Sequence, residues 1–293
     1  MYLIANFKLR TSVDWFKYIL LLPLIVWLGL FVAFPLLDVT LMSFMKSGTY
    51  GGVELGFSLN NYGSLFSALY GRIIILSFVL ALVVTLICIV MAYPFAMFVA
   101  NKSKAILSVI TALITTPFMI SSVLRLYAWI TILRTNGILN SSLMKIHIIG
   151  KPLDLVYNNF AVVLGMVYTL IPFMLLPLIS GFRNVDISLV EATQDLGGKK
   201  WEIFKYVYLP TTLPAIFSGS IMVFIPTLGY FFVSDIMGGS KSIFIGNLVR
   251  DQFISAHNWP LGSALSVAII AFTFLILWIY KKMGGRLEDL GGN

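Results

Sequence analysis

The chain has few charged residues, one cysteine and two histidines. Charged residues are 11% of its 293 residues, whereas they are about a quarter of an ordinary soluble domain. The single cysteine, Cys88, lies in an apolar run, so an internal disulfide and a cysteine-based metal site are excluded. His147 and His257 lie far apart in predicted loops, and no H-E-x-x-H zinc motif occurs. The shortage of charged residues excludes an ordinary soluble domain.

Motifs for nucleotide binding and catalysis are also missing. No G-x-x-x-x-G-K-[ST] occurs, and the nearest match, Gly150-Lys151-Pro152, lacks both the leading glycine and the hydroxyl that would bind Mg²⁺. No G-x-S-x-G occurs either. We therefore expect no ATP site, no cofactor and no enzyme activity in this chain. An intramembrane enzyme that assembles its catalytic residues from distant helices is the alternative.

Long apolar runs are what the sequence has instead. Hydrophobic residues make up 59% of the chain, and runs of about 20 of them are long enough to cross a bilayer. We predict an all-α membrane protein with a six-span domain over residues 18–283, between a segment 1–17 and a tail 284–293. The predicted spans are 18–41, 72–100, 105–133, 159–182, 211–234 and 263–280. A turn-rich loop is expected at 46–71, a short helix at 139–147 and a loop at 235–262.

Basic residues indicate the orientation of these spans. The chain carries 20 lysines and arginines against 12 acidic residues, and the excess lies beside the predicted spans, which indicates topology rather than nucleic-acid binding. Placing the N-terminus in the cytoplasm puts Lys102 and Lys104 and the basic residues of the loop after the fourth span on that side. Both termini are then cytoplasmic.

Residues 188–210 form a polar stretch, the 188–210 loop, between the fourth and fifth predicted spans. Ser188 followed by Glu191 is a capping-box pattern that predicts a helix start, and Gly197-Gly198 predicts its end. A second helix is expected to end at Pro210. Its aromatic residues at helical spacing are Trp201, Phe204 and Tyr208. One interpretation is an ordinary loop whose helices rest on lipid headgroups.

The spacing within this loop favours another interpretation. Glu191-Ala192, then Gly197, then Val207-Tyr208-Leu209-Pro210 closely resembles the EAA loop of binding-protein-dependent ABC importer permeases. Two positions depart from that pattern by small changes in bulk, since Thr193 replaces its second alanine and Val207 replaces its isoleucine. The resemblance implies the type I ABC importer permease fold and a loop that docks into a separate ATPase subunit. The coupling residues that it implies are Glu191, Ala192, Asp195, Gly197, Trp201, Leu209 and Pro210.

Three further stretches resemble the first permease subunit of spermidine/putrescine importers. They are Pro117-Phe118 through Arg125-Leu126-Tyr127-Ala128-Trp129, Phe232 to Gly239, and Ile245-Gly246-Asn247 through Gln252-Phe253 to Gly262. The similarity covers about residues 58–283. It implies an ATP-driven polyamine importer in the bacterial inner membrane. The implied partners are a homologous second permease, a homodimeric ATPase that binds ATP and Mg²⁺, an extracytoplasmic substrate-binding protein and membrane lipid.

Charges at membrane depth are candidates for the substrate path. Asp235 follows Phe231 and Phe232, and a carboxylate beside aromatic rings suits an organic cation. Arg125, beside Tyr127, lies midway along the third predicted span, and we expect Arg250 to pair with a carboxylate or with the binding protein. The predicted path residues are Phe231, Phe232, Asp235, Arg250, Arg125 and Tyr127. The alternative is that the charges form structural ion pairs and the aromatics only pack.

Other function classes remain open at this point. A carrier driven by an ion gradient predicts several buried carboxylates or histidines and repeated halves, which this sequence lacks. Related permeases that carry iron, thiamine or opines keep the class but change the substrate. A non-transporting membrane scaffold or receptor is the third alternative. The sequence does not separate spermidine from putrescine.

Overall fold

The computed structural model describes residues 12–49, 51–239 and 242–282. The tail 284–293 and the first part of segment 1–17 lie outside these ranges. The helices are α1 Ser12–Leu28, α2 Phe34–Ser43, α3 Asn60–Leu65, α4 Ala68–Ala100, α5 Lys104–Thr115, α6 Ser122–Leu133, α7 Ile138–Lys145, α8 Asn159–Arg183, α9 Ile187–Asp195, α10 Lys200–Ile203, α11 Leu209–Gly229, α12 Phe231–Val233, α13 Ile245–Ile254 and α14 Trp259–Lys282. Wider π-helical turns occur at Gly29–Ala33, Phe204–Tyr208 and Ser234–Gly238.

Five helical segments in the described part of the chain are long and apolar enough to cross a bilayer. They are Tyr18–Ser43, Ala68–Ala100, Asn159–Arg183, Lys200–Gly229 and Trp259–Lys282. A sixth candidate is a pair of helical segments, Lys104–Met119 and Ser122–Lys145, bent by 93°. The all-α membrane class is confirmed, and α7 confirms the short helix expected near 139–147.

The third predicted span is not one continuous helix. Helix α5 gives way to a 3₁₀ turn at Thr116–Met119, and Ile120 is extended at φ −92° and ψ 139° before α6 begins. Pro117 lacks the N–H that would continue the helical hydrogen bonds, so it favours a break at this point. We call residues Thr116–Ser121 the elbow. The predicted span over 105–133 is therefore interrupted at the elbow.

The fifth span begins earlier than predicted and ends earlier. Helix α10, the π-helical turn at Phe204–Tyr208 and α11 form one segment from Lys200 to Gly229, so the second half of the 188–210 loop is continuous with the span. Pro210 does not end a helix, contrary to prediction. A proline ring collides with the carbonyl oxygen four residues earlier, and a wider turn gives the room that lets the helix continue.

The described residues divide into two compact units. One comprises residues 12–65 with Asp251–Ile269, and the other comprises Phe66–Arg250 with residues 270–282, apart from the undescribed positions. In the second unit α4, α8 and α11 pack against one another. The face that α4 buries carries small side chains, which allow close packing. They include Ala81, Val84, Cys88, Ala92 and Ala96, all fully buried.

The first unit contains a small β-hairpin that the sequence did not predict. Strand β1, Met45–Ser47, pairs antiparallel with β2, Val53–Phe57, inside the region expected to be an irregular loop. Asn61 fastens it to the first span, because its Nδ2 donates to the carbonyls of Ser43 at 3.1 Å and Met45 at 2.8 Å. Such short strands give little alternation of apolar and polar residues for a sequence to reveal.

Candidate coupling loop and membrane-embedded charges

The N-cap of the first helix of the 188–210 loop lies two residues before the predicted cap. Asp186 is the N-cap of α9, and its Oδ1 accepts a hydrogen bond from the backbone N–H of Ser188 at 2.9 Å. That hydrogen bond lowers the pKa of the Asp186 carboxyl below its ordinary value. The predicted capping box at Ser188 and Glu191 was wrong, because an aspartate just before the helix is at least as good a cap as serine.

Two glycines end α9 in a Schellman motif. The N–H of Gly197 donates to the carbonyl of Gln194 at 2.8 Å, and the N–H of Gly198 donates to that of Thr193 at 2.9 Å. Gly197 adopts a φ of 80°, in the left-handed region that glycine tolerates best. Gly198 is needed for space instead, since a Cβ on it would lie 2.6 Å from the carbonyl oxygen of Thr193. The predicted helix end is confirmed.

Apolar side chains on this loop face outward. Leu196 is 90% exposed and Trp201 is 67% exposed, and both Ile187 and Leu189 are exposed as well. Trp201 stacks on Phe204 with ring centroids 5.3 Å apart. Of the predicted coupling residues, Leu209 is half-buried. The others, Glu191, Ala192, Asp195, Gly197, Trp201 and Pro210, are exposed. A polar loop with exposed leucine and tryptophan side chains has the surface of an interaction site.

An aromatic cluster joins this loop to the spans. Tyr93 of α4 contacts Phe182 of α8 and Phe204, with ring centroids 4.9 and 5.8 Å apart, and Phe182 contacts Tyr208 at 5.9 Å. The hydroxyl of Tyr93 lies 3.1 Å from Oγ1 of Thr212. The cluster therefore links the loop to three packed helices. No sequence pattern indicated Tyr93 or Phe182, because their contacts depend on how separate helices come together.

The second candidate site follows the break that ends α11 at Tyr230. Asp235 lies in the π-helical turn after α12, where its Oδ2 accepts a hydrogen bond and ion pair from Nη1 of Arg250. The guanidinium carbon of Arg250 is 5.5 Å from the ring centroid of Phe231. The two charged side chains are 31% and 30% exposed. The carboxylate that Arg250 was expected to pair with is thus Asp235 itself.

Asn247 orients this ion pair and was missed as a site residue. It is buried, and its Nδ2 donates to Oδ1 of Asp235 at 2.6 Å. Its Oδ1 accepts hydrogen bonds from Oγ of Ser234 at 2.8 Å and from the N–H of Phe244 at 3.0 Å. The motif Ile245-Gly246-Asn247 was the available signal, but only the fold brings that amide to Asp235.

Arg125 is buried next to the elbow without an acidic partner in the described part of the chain. It is 8% exposed, and its Nη2 donates to Oγ of Ser122 at 3.0 Å. Its guanidinium carbon lies 5.2 Å from the ring centroid of Phe118 and 5.7 Å from that of Tyr168. The described residues therefore do not support the alternative that Arg125 is half of a structural ion pair. Tyr127, the other predicted residue here, is 55% exposed.

Two predicted groups of path residues thus lie on adjoining elements. Helix α6, which carries Arg125 and Tyr127, packs against the Ser234–Gly238 turn that carries Asp235. Phe232 packs against the buried core of the same unit, and Phe231 is exposed enough to face a ligand. No hydrogen bond or ring contact among the described residues joins Arg125 to Asp235.

A family model described as "Binding-protein-dependent transport system inner membrane component" matches residues 92–289. The match contains the 188–210 loop and both groups of charges. The chain belongs to this family. It is a transport component of the inner membrane rather than an enzyme, as expected from the missing catalytic motifs.

Curated relatives extend the similarity to most of the chain. It is 37% identical over 273 residues to "Spermidine/putrescine transport system permease protein PotB" of Salmonella typhimurium strain LT2, covering 93% of this chain and 95% of the relative. The Escherichia coli K12 protein of the same name is 36% identical over 269 residues, covering 92% and 98%. A solved bacterial ABC transporter that imports the polysaccharide alginate has the same fold, with a TM-score of 0.71 at 17% identity over 93% of this chain and 96% of that one. The type I importer permease fold is confirmed.

Proposed function

We propose that this chain is one permease subunit of an ATP-driven importer for polyamines such as spermidine or putrescine. The 36–37% identity to two proteins named for that transport, over more than nine-tenths of the chain, carries the proposal. The chain forms half of the translocation path beside a homologous second permease. A homodimeric ATPase supplies energy and an extracytoplasmic binding protein delivers substrate. Both chain termini lie in the cytoplasm.

The 188–210 loop is the proposed contact with the ATPase. Its exposed apolar side chains, Leu196 and Trp201 above all, give a docked partner surface to bury. ATP and Mg²⁺ bind to the ATPase, and closure of that dimer moves the loop. Phe204 and Tyr208 contact Tyr93 and Phe182, so the movement is transmitted directly to the ends of α4 and α8.

The ion pair of Asp235 and Arg250 is the proposed place of cation recognition. An alkylammonium group has the charge of a guanidinium and also donates hydrogen bonds to a carboxylate. A polyamine therefore competes with Arg250 for Asp235, while the face of Phe231 attracts the cation further. Phe231 and Phe232 form part of a gate that opens when Arg250 leaves the carboxylate.

Uptake of labelled spermidine into vesicles that contain the whole complex tests this proposal. Asp235→Asn is expected to abolish uptake without loss of the partner subunits. The double variant Asp235→Asn with Arg250→Gln removes both charges and is the matched control for a structural ion pair. We expect it to stay inactive, because the carboxylate that binds the polyamine is gone. Arg250→Gln alone is expected to keep uptake and to lower the KM for spermidine.

Two results would contradict parts of the proposal. Restored uptake in the double variant means that Asp235 acts only by neutralising Arg250, and the recognition role fails. Stimulation of ATP hydrolysis by another solute, such as thiamine, an opine or iron, but not by spermidine or putrescine keeps the importer and removes the polyamine.

A further inference from the structure

Arg125 carries more hydrogen-bonding capacity than its surroundings use. A guanidinium has five N–H donors, and the hydrogen bond described for Arg125 is the one from Nη2 to Ser122. Its Nε is buried and has no hydrogen-bond partner among the described residues. The aromatic rings of Phe118 and Tyr168 attract the charge but accept no strong hydrogen bond. A buried charge left in this state is costly unless an anion completes the site.

The described part of this chain does not supply that anion. In its candidate spans the acidic residues are Asp38 and Glu202, and Asp235 lies shortly after the Lys200–Gly229 segment. Arg250 and Asn247 already bind Asp235, and Oε2 of Glu202 accepts a hydrogen bond from the backbone N–H of Lys199 at 2.6 Å. The other described acidic residues lie outside the apolar spans. They are Asp14, Glu54, Asp154, Asp186, Glu191, Asp195 and Asp251.

A cavity beside Arg125 has room for a carboxylate side chain. Its volume is about 170 Å³, and its lining includes Leu113, Phe118, Tyr168 and Pro172. Leu113, which lines the cavity, is 67% exposed, so the cavity borders an apolar surface on which a membrane helix could lie.

The depth of the cavity distinguishes between two sources of the anion, a lipid phosphate and a carboxylate on a neighbouring membrane helix. Helix α5 carries the chain about 18 Å from Lys104 to the elbow at 1.5 Å per residue, well into a hydrocarbon core about 30 Å thick. After the elbow the chain turns by 93°, so Arg125 stays near that depth. Lipid phosphates lie at the headgroup level, outside the core. A carboxylate on a neighbouring membrane helix reaches the cavity more readily.

We propose that Arg125 binds a carboxylate from a membrane helix of the second permease subunit, so that this site is complete only in the paired permease. The inference rests on the proposed function, which supplies that second subunit. It makes Arg125 a pairing residue between subunits rather than a residue that touches substrate, since a guanidinium repels a polyamine.

Co-purification of the second permease with a tagged version of this chain, from cells that express the whole complex, tests the proposal. Arg125→Met keeps the bulk and removes the charge, and Arg134→Gln at the end of the same helix is the matched control. We expect Arg125→Met to weaken pairing by about thirtyfold or more, as for a truncated buried charge pair. Arg125→Lys is expected to retain part of it. The Arg125→Met chain expressed alone should unfold at no lower temperature than the wild type, because it has lost an unsatisfied charge.

The carboxylate itself is found by replacing each aspartate and glutamate in the spans of the second permease with its amide. One replacement should reproduce the loss, and exchanging the two charges, with Arg125→Glu in this chain, should restore pairing. Normal pairing with Arg125→Met overturns the inference and leaves the proposed function intact. So does a phospholipid that mass spectrometry finds on the wild-type complex and that Arg125→Met loses while pairing persists. A wild-type chain that binds neither permease nor ATPase overturns both.

Discussion

The two adjacent glycines of the 188–210 loop should respond differently to the same substitution. Gly197→Ala meets nothing within 4 Å but must keep a φ of 80°, which costs about 1 kcal/mol for a residue with a Cβ. Gly198→Ala lies outside the left-handed region, but its Cβ would be 2.6 Å from the carbonyl oxygen of Thr193 and 2.7 Å from Cγ2 of that residue. Relief of that contact disrupts the hydrogen bond that closes the motif, so we expect about 2 kcal/mol or more.

Hydrogen exchange measures these costs in the purified complex. The amides that close α9, those of Gly197 and residue 198, should exchange about fivefold faster in Gly197→Ala and about thirtyfold faster in Gly198→Ala, the factors that 1 and 2 kcal/mol correspond to. Gly197→Asn should increase the exchange rate less than Gly197→Ala does, because asparagine tolerates the left-handed conformation better than alanine. The unfolding temperature of the complex should not change, since the loop is exposed. Polyamine-stimulated ATP hydrolysis should be reduced least in Gly197→Asn, more in Gly197→Ala and most in Gly198→Ala.

Gly150→Ala is the control, since a Cβ there meets nothing within 4 Å and the residue has no positive φ. It should match the wild type in both measurements. Faster exchange in Gly197→Ala than in Gly198→Ala would refute the assignment of conformational need to the first glycine and steric need to the second. Equal exchange with unequal ATP hydrolysis would mean that the glycines act by contact with the ATPase and not by closing α9.

Two further predictions concern the same loop. Trp201→Ala should weaken binding of the ATPase by about thirtyfold, as for an interface hot spot, and leave the unfolding temperature unchanged because the side chain is 67% exposed. Ile148→Ala, at an exposed position elsewhere, is the control and should change neither property. Normal ATPase affinity in Trp201→Ala would contradict the docking role. The lowered pKa of Asp186 means that its stabilisation of α9 is present above the ordinary pKa of 3.8 and is lost as the pH falls through the lower folded-state value. Exchange of the first-turn amides of α9, corrected for intrinsic rate, should therefore rise below pH 3.8 in the wild type and not in Asp186→Asn, and a pH-independent wild type would contradict this cap.

The sequence predicted the elements that depend on local chemistry. Apolar runs marked the spans, and the adjacent glycines marked the end of α9, because both signals lie within a few residues of what they determine. The cap at Asp186 was missed by two residues, since several side chains in that stretch can cap a helix. Pro210 was misinterpreted, because a proline predicts a helix end unless a wider turn before it makes room, and that turn depends on packing.

Contacts between distant elements could not be predicted in the same way. Asn247 binds Asp235, and Tyr93 meets Phe182 and Phe204, but each contact exists only once separate helices have packed. The pairing of Asp235 with Arg250 was one of several ion pairs that the composition allowed. The fold selects among them, and it also leaves Arg125 without an acidic partner in the described residues, which no sequence pattern indicates.

Arg125 and Asp235 share a structural setting that supports the roles proposed for them. Arg125 follows the elbow, and Asp235 follows the break at Tyr230, so each lies just after an interrupted helix. Non-helical backbone within a membrane is tolerated where it is buried in protein or lines a cavity, and those are also the places where a charge can be solvated by protein groups. Asp235 has found its partners inside the chain and is open to competition from a cation. Arg125 has no acidic partner among the described residues, which is why we propose that its anion comes from the second permease.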